Sequence, residues 1–438
     1  MSYNAAFDWF IFNLFLSEDE QYDIDDDAER RTLAAAIVAG AEEAQLSRNL
    51  QRQFSRQYLQ RLHLLPDPRG TTPWSALFDS RSDRAFITTM GIDMTTFIFL
   101  LEKGFAYRWV TRPIPRPDSD ALAARPDRRS LDAEGALGLT LHYLNSTVCE
   151  MLLGQVFALI PATVSRYVSF CLDILLESMR EINEARIAWP HGALEFQELT
   201  ELVMARHPRL EGAFATVDGL NLLVQTSEDL DVENATYNGW MSEHMVSSVI
   251  VYSPKGLVVA ARLNAPGSWH DSRVAQGIYE KLRTRTPPGY YIVADTAFPR
   301  GTSQIEGRIR APLKVGHQLE GTPMEIAERL AFDREILSYR QTAEWGMRAL
   351  QGSFGRLRVP LNISHIPKRA DILELCLRLH NLRTLKVGIN QIRTVYMGHW
   401  LHTAEDDTVW KTFENMLFRE QRQHDRVSRF HTLPSYES

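Results

Sequence analysis

The chain has 438 residues, of which 44% are hydrophobic and 24% are charged, and its formal net charge is −7. This composition is typical of a globular protein with a large core, and the length suits two or three domains. Three scattered cysteines without a CxxC pair argue against a disulfide scaffold or a zinc site, and no apolar run is long enough for a membrane span.

Charge is unevenly distributed along the chain. Residues 1–50 carry eleven acidic side chains against three arginines, whereas residues 296–386 carry fifteen Lys or Arg against nine acids. A local basic surface can therefore coexist with a negative total charge. The acidic run at 18–29 is typical of a solvated segment or of the start of a helix.

The first half of the sequence predicts helices. Residues 1–110 form a predicted helical N-terminal region with the acidic segment, because apolar residues recur at helical spacing. Residues 111–130 hold four prolines without apolar periodicity, which predicts a Pro-rich linker. Residues 131–200 predict further helices, among them a pair separated by a short turn around Leu159–Pro161.

This helix pair has the pattern of a helix-turn-helix. Its second helix is predicted to begin at Ala162 or Thr163 and would present Thr163, Ser165 and Arg166 to DNA. Two helices packed only for stability would give the same pattern, so both interpretations stay open.

The second half predicts an α/β domain at 205–386. Short β-branched runs at 212–225, 245–253 and 256–266 predict three strands, and a helix and a fourth strand follow. Two long helical stretches complete the domain, and residues 387–438 form a predicted C-terminal tail. The fold class is α/β, with a mixed sheet.

Three acidic residues stand out in this domain. Asp218 interrupts the first strand, Asp295 follows the fourth, and Glu344 lies in the long helix with Arg340 and Arg348 four residues to either side. Three convergent carboxylates need a cation between them, and oxygen ligands select Mg²⁺ or Mn²⁺, with two ions in sites that transfer phosphoryl groups. Taken singly, each has another explanation: Asp218 could form a turn, Asp295 could cap a helix or turn, and Glu344 could form a surface ion pair with arginine.

Five ordered stretches carry a family resemblance: TVDGLNLLVQTS, NATYNGWMSEHMVSSVIVY, LNAPGSWHDSRV, YYIVADTAFP and LSYRQTAEWGMRALQGSFGRLRVPL. They resemble the RNase H-like catalytic domain of the Harbinger/PIF superfamily of DDE transposases, in its fungal branch. The resemblance implies that Asp218, Asp295 and Glu344 are the catalytic and metal-binding triad. It also places His270 and Asp271 near the site, as auxiliary residues.

Asp271 and His270 have simpler explanations as well. Asp271 begins a predicted helix, so N-capping accounts for it, while a direct metal contact is the alternative. His270 would orient the scissile phosphate or satisfy a hydrogen bond beside the site.

Basic and aromatic residues complete the candidate set. Arg308, Arg310, Arg348, Arg356 and Arg358 are predicted DNA contacts, with ordinary solvated charge as the alternative. A cluster of three tryptophans is predicted to lie in the core rather than to stack on bases: Trp240, Trp269 and Trp345.

The resemblance implies a nuclear transposase that cuts and joins double-stranded DNA by two-metal hydrolysis and transesterification. Its substrates would be terminal inverted repeats and a target site, with a Myb-like helper protein and a homo-oligomer as further expectations. The alternatives are a domesticated, catalytically silent DNA-binding or interaction protein, and a plain nuclease without strand transfer.

Overall fold

The computed structural model describes residues 24–57, 63–64, 67–115, 123–298, 305, 307–314 and 319–397. The chain divides into two compact units, residues 1–63 and 64–438. The first unit is described as one long helix, α1 (Ile24–Gln57). The predicted boundaries at 110, 130 and 200 all fall within the second unit, and most of the predicted tail lies outside the described residues.

The second unit begins with a helical layer around buried aromatic residues. A π-helical turn at 101–105 joins its third and fourth helices. The helices of this layer are α2 (Pro73–Asp79), α3 (Asp83–Met90), α4 (Met94–Leu100), α5 (Ala106–Thr111), α6 (Ala133–Asn145), α7 (Glu150–Phe157), α8 (Pro161–Glu181) and α9 (Gly192–Met204). Among the described residues no single helix is long and apolar enough to cross a bilayer; the bent pairs α3 with α4–α5 and α7 with α8 reach that length and composition only when combined.

Helices α7 and α8 form the predicted helix pair, bent by 94°. Ala158 ends α7 in the left-handed region with φ 51°, and the Leu159 N–H donates to the Gly154 carbonyl oxygen at 2.8 Å. A Cβ on Gly154 would lie 2.4 Å from the Leu159 carbonyl oxygen, so glycine permits this tight turn. Helix α8 begins at Pro161, slightly before the predicted start, because proline favours the first helical position.

A six-stranded mixed sheet follows. Its strand order is β4-β3-β1-β5-β6, with β2 paired to the beginning of β3. Strand β3 is antiparallel to β1 and to β4, whereas β1, β5 and β6 are parallel. The strands are β1 (Ala213–Leu223), β2 (Tyr237–Asn238), β3 (Glu243–Tyr252), β4 (Val258–Pro266), β5 (Tyr291–Val293) and β6 (Ile309–Arg310).

Helices cover both faces of the sheet. Buried side chains of β3 alternate between two cores, with Ile250 and Tyr252 in one and Val249 and Val251 in the other. The first core continues into the helical layer. The remaining helices are α10 (Leu230–Thr236), α11 (Asp271–Val274), α12 (Gln276–Thr284), α13 (Pro323–Ser353), α14 (Ile366–Lys386) and α15 (Gln391–Met397).

The prediction that Trp240 lies in the core is wrong. Its side chain is 88% exposed in the connection between β2 and β3. There the Asn238 side-chain oxygen accepts from the backbone N–H groups of Trp240 and Met241, which closes a tight turn away from the core. Trp269 and Trp345 are partly buried and pack against the two cores.

Candidate active site

The parallel pairing of β1 and β5 places two acids side by side. Thr216 lies opposite Val293, and continuing this register by two residues brings Asp218 next to Asp295. Side chains two residues apart on a strand share a face. Strand β5 ends at Val293, so Asp295 follows it, and its Oδ1 accepts a hydrogen bond from the Thr296 N–H at 2.6 Å.

Helix α13 lies across the same face of the sheet and carries Glu344. The Thr216 and Thr342 hydroxyls are 2.9 Å apart and join β1 to α13 inside the core. One turn further along, a Cβ on Gly346 would lie 2.6 Å from the Tyr252 ring. The absence of a side chain at Gly346 therefore lets α13 pack closely on β3, which brings Glu344 over the two aspartates.

Arg340 connects two of the three carboxylates. Its Nη2 lies 2.9 Å from Glu344 Oε1, and its Nη1 lies 3.5 Å from Asp295 Oδ1. Arg340 is only 8% exposed, and its buried Nε has no hydrogen-bond partner among the described residues. Arg340, which lies four residues before Glu344 in the sequence, thus points into the site.

Asp218 is the most strongly perturbed acid of the group. Its pKa is raised to about 7: burial is the largest cause and the charges of Glu344 and Asp295 add to it, while Arg340 and the Gly219 N–H act in the opposite direction. Asp218 Oδ1 accepts from that N–H at 2.8 Å. One guanidinium therefore leaves the negative charge of this cluster only partly offset at neutral pH.

The donor set fits a hard divalent cation. Asp218, Asp295 and Glu344 offer only carboxylate oxygens, which suit Mg²⁺ or Mn²⁺. Within the described part of the chain, no group of three or more His, Cys, Asp or Glu side chains is arranged closely enough to hold an ion as it stands. The Arg340 guanidinium lies between two of the acids, so an ion would have to displace it from at least one of them.

Asp271 is not the N-cap of its helix, which corrects the simpler interpretation of this residue. The N-cap of α11 is His270, whose Nδ1 accepts from the Ser272 N–H. Asp271 instead places its carboxylate against β1, where a Cβ on Gly219 would lie 2.4 Å from its Oδ2. Burial raises the pKa of Asp271, His270 lowers it and Asp295 raises it, so a fourth acid lies beside the three.

The sequence of this region has relatives. Residues 217–381 match the sequence model of the family described as DDE superfamily endonuclease. The match supports a DDE transposase-type family and points to nuclease activity on DNA. It contains all four acids and Arg340 but spans less than half of the chain. No curated protein and no solved structure matches the chain.

Gly346 provides a test of how the region that matches the family model positions Glu344. We expect Gly346→Ala to destabilise the protein by roughly 1–3 kcal/mol and to slow DNA cleavage, because the methyl group would collide with the Tyr252 ring and push α13 off the sheet. Gly352 is the matched control on the same helix, since a Cβ there meets no atom within 4 Å. Gly352→Ala should be neutral or stabilising by up to about 1 kcal/mol. Urea unfolding measures the stability of the two variants, and cleavage rates measure their activity. Equal effects of the two substitutions would contradict the close packing of α13 on β3.

Asp271→Asn tests the fourth acid. We expect cleavage to fall by roughly 10- to 100-fold, the effect of losing a group that supports metal ligands. The free energy of unfolding of Asp271→Asn, relative to that of the wild type, should rise with pH. The reason is that the pKa of Asp271 is raised in the folded wild type, which therefore loses stability once this group ionises. Asp229→Asn is the control. Asp229 is the N-cap of α10, and Asn caps a helix as well as Asp does, so this substitution should leave stability and cleavage unchanged. Unchanged cleavage in Asp271→Asn would reduce this residue to a packing role.

Several predicted DNA contacts are occupied within the fold. Arg308 donates to the carbonyl oxygens of Thr286 and Pro287 at 2.7 and 2.6 Å. The Arg310 guanidinium lies 3.9 Å from the Tyr291 ring centroid, and that of Arg356 lies 4.4 Å from the Tyr143 ring centroid. These contacts give the three arginines roles within the fold, and their contact with DNA stays a prediction.

The other predicted contacts are more accessible. Arg348 and Arg358 are exposed, Ser165 is exposed on α8, and Thr163 and Arg166 are half-buried near the start of α8.

The sequence analysis did not identify Gly219 and Gly346 as part of the site. A glycine inside a strand or helix often indicates a close approach of another group, and this signal could have found both.

Proposed function

We propose that the protein is a DDE-type endonuclease and transposase that cuts and joins DNA. The observation that carries the proposal is the grouping of Asp218, Asp295 and Glu344 on one face of the sheet, within the region that matches the endonuclease family. The strand order β4-β3-β1-β5-β6, with antiparallel strands on one side and parallel strands on the other, supports an RNase H-like domain.

Two divalent cations, when bound, would activate the attacking oxygen and offset charge on the phosphate during in-line displacement. Asp218 and Asp295 would hold them from the sheet, and Glu344 from α13. Asp218 must give up its proton for this, and its pKa of about 7 allows that near neutral pH. Arg340 would move away from Asp295 or Glu344 and remain available to the phosphate oxygens.

The finer assignment rests on the family resemblance. It favours the fungal Harbinger/PIF branch, nuclear location, terminal inverted repeats as substrate, and a Myb-like helper with a homo-oligomer as partners. The hydroxyl freed by the first cut would attack target DNA at the same carboxylates, because hydrolysis and strand transfer are the same displacement with different nucleophiles.

The pairing of Arg340 with Asp295 and Glu344 favours a second candidate, a catalytically silent DNA-binding protein. In that protein the guanidinium would replace the metal permanently and keep the acids in place. The two candidates differ in one property, which is whether divalent cations bind at the acids.

Nicking of supercoiled plasmid tests the proposal. A single cut converts the plasmid to a relaxed circle, so the assay is sensitive and needs no known recognition sequence. We expect relaxation with Mg²⁺ or Mn²⁺ and none with EDTA. Absence of nicking with either ion, while the protein still binds the plasmid, would favour the silent candidate.

A further inference from the structure

A small cavity of about 160 Å³ lies beside the start of α8. Four arginines line it, three of them from the segment predicted as a linker: Arg125, Arg128, Arg129 and Arg166. The hydroxyl-bearing residues Ser130 and Thr163 also line it. A volume of this size has room for roughly five water molecules, or one phosphate group with its hydration.

Arg129 is the buried member of this arginine pocket. It is 7% exposed, and its guanidinium carbon lies 4.5 Å from the centroid of the Trp109 ring. Its Nη2 donates to the Arg112 carbonyl oxygen, but its buried Nη1 has no hydrogen-bond partner among the described residues. A buried cation with an unmet donor is costly unless an anion approaches it.

Within the described residues, no acid forms an ion pair with an arginine of the pocket. Arg125 and Arg128 are exposed and Arg166 is half-buried, and none of the three forms an ion pair with a described residue. Neighbouring arginines behave differently: Arg108 and Arg112 both pair with Glu177. Among the described residues, the arginines of the pocket therefore lack the acidic partner that Arg108 and Arg112 have.

The segment that supplies the arginines is held in place. The Ser130 N–H donates to the Tyr167 hydroxyl at 2.9 Å, and Arg69 Nη2 donates to the Arg129 carbonyl oxygen at 2.7 Å. Residues 126–128 form a single helical turn. The backbone at 129–130 is thus held beside α8, whose N-terminus has no side-chain cap and adds a positive dipole end.

We propose that this arginine pocket binds a backbone phosphate of double-stranded DNA. The inference rests on the proposed function for the identity of the ligand, since the pocket itself specifies only a phosphate-like anion. It extends the predicted DNA contacts of α8 to residues 125–130. Arg129 and Arg166 would hold the phosphate from inside, and Arg125 and Arg128 from the rim.

Salt titration of DNA binding by the full chain tests the pocket. The variant Arg125→Ala/Arg128→Ala removes the two exposed arginines and leaves buried contacts intact. We expect about tenfold weaker binding of a short random-sequence duplex, with the slope of log K against log salt reduced by about 0.9, the value for one phosphate. Arg125→Lys/Arg128→Lys keeps the charge and should retain the slope. Arg84, exposed on α3 and outside the pocket, is the control for Arg→Ala.

Binding by Arg125→Ala/Arg128→Ala that equals wild type at every salt concentration would overturn the proposal. So would failure of the wild type to bind duplex. If inorganic phosphate raised the melting temperature of the wild type but not of the variant, while duplex binding was equal in both, the pocket would be a free-anion site and the DNA assignment would be wrong.

Plasmid nicking separates this proposal from the proposed function. A reduced salt slope in the variant, with no nicking by the wild type, would support the pocket and reject the endonuclease. Normal nicking by the wild type with an unchanged salt slope in the variant would support the endonuclease and reject the pocket.

Discussion

Glu344→Gln should lower the rate of Mg²⁺-dependent nicking on the order of a thousandfold and leave the fold intact. The substitution keeps the size of the side chain and its contact with Arg340 but removes a negative charge that a divalent cation needs. Asp295→Asn should give a similar loss for the same reason. Single-turnover nicking and circular dichroism measure activity and fold.

Glu328 provides a matched control for this substitution. It lies on the same helix, is exposed, and has no partner in the described residues, so Glu328→Gln should nick like wild type. Retention of more than about a tenth of the activity in Glu344→Gln would exclude this residue as a metal ligand, because loss of a ligand costs several kcal/mol of transition-state stabilisation.

Arg340→Met should destabilise the metal-free protein by roughly 2 kcal/mol at pH 8. The substitution leaves Asp218, Asp295 and Glu344 without their common cation. The cost is below that of a fully buried ion pair, because Asp295 and Glu344 are partly exposed.

The effect of Arg340→Met should depend on pH with a definite sign. Arg340 lowers the pKa of Asp218, so its loss raises that pKa further above the unfolded value. A carboxyl group with a raised folded pKa contributes stability at low pH that is lost as the pH rises. The variant should therefore approach wild type near pH 5 and fall behind it toward pH 8.

Arg348→Met is the control for Arg340→Met, since Arg348 lies two turns along α13 and is exposed. It should change stability by less than about 0.5 kcal/mol at either pH, as is usual for surface substitutions. Urea unfolding in EDTA measures both variants. A pH-independent loss in Arg340→Met would mean that the arginine acts through packing alone.

Much of this site could be predicted from the sequence because it follows from strand patterns. The apolar run before Asp295 predicts a buried strand, and a carboxylate after such a strand is held at its end. The run around Asp218 predicts the neighbouring strand in the same way. Local patterns suffice here because the elements themselves position these two side chains.

Other features depend on contacts between distant parts of the chain. Asp271 follows the N-cap of α11, and only the approach of α11 to Gly219 reveals that its carboxylate faces β1. Prolines around Arg129 indicate a loop, but the rings of Trp109 and Phe170 bury that arginine. Periodicity within a segment carries no information on such partners.

Anomalous diffraction from crystals soaked in Mn²⁺ tests the central claim most directly. We expect manganese between Asp218, Asp295 and Glu344, with the Arg340 guanidinium displaced from at least one of its two carboxylates, and no manganese there in Glu344→Gln. Wild-type crystals in which Arg340 still bridges Asp295 and Glu344 at saturating Mn²⁺, with no anomalous peak beside Asp218, would contradict the assignment of these acids as a metal centre.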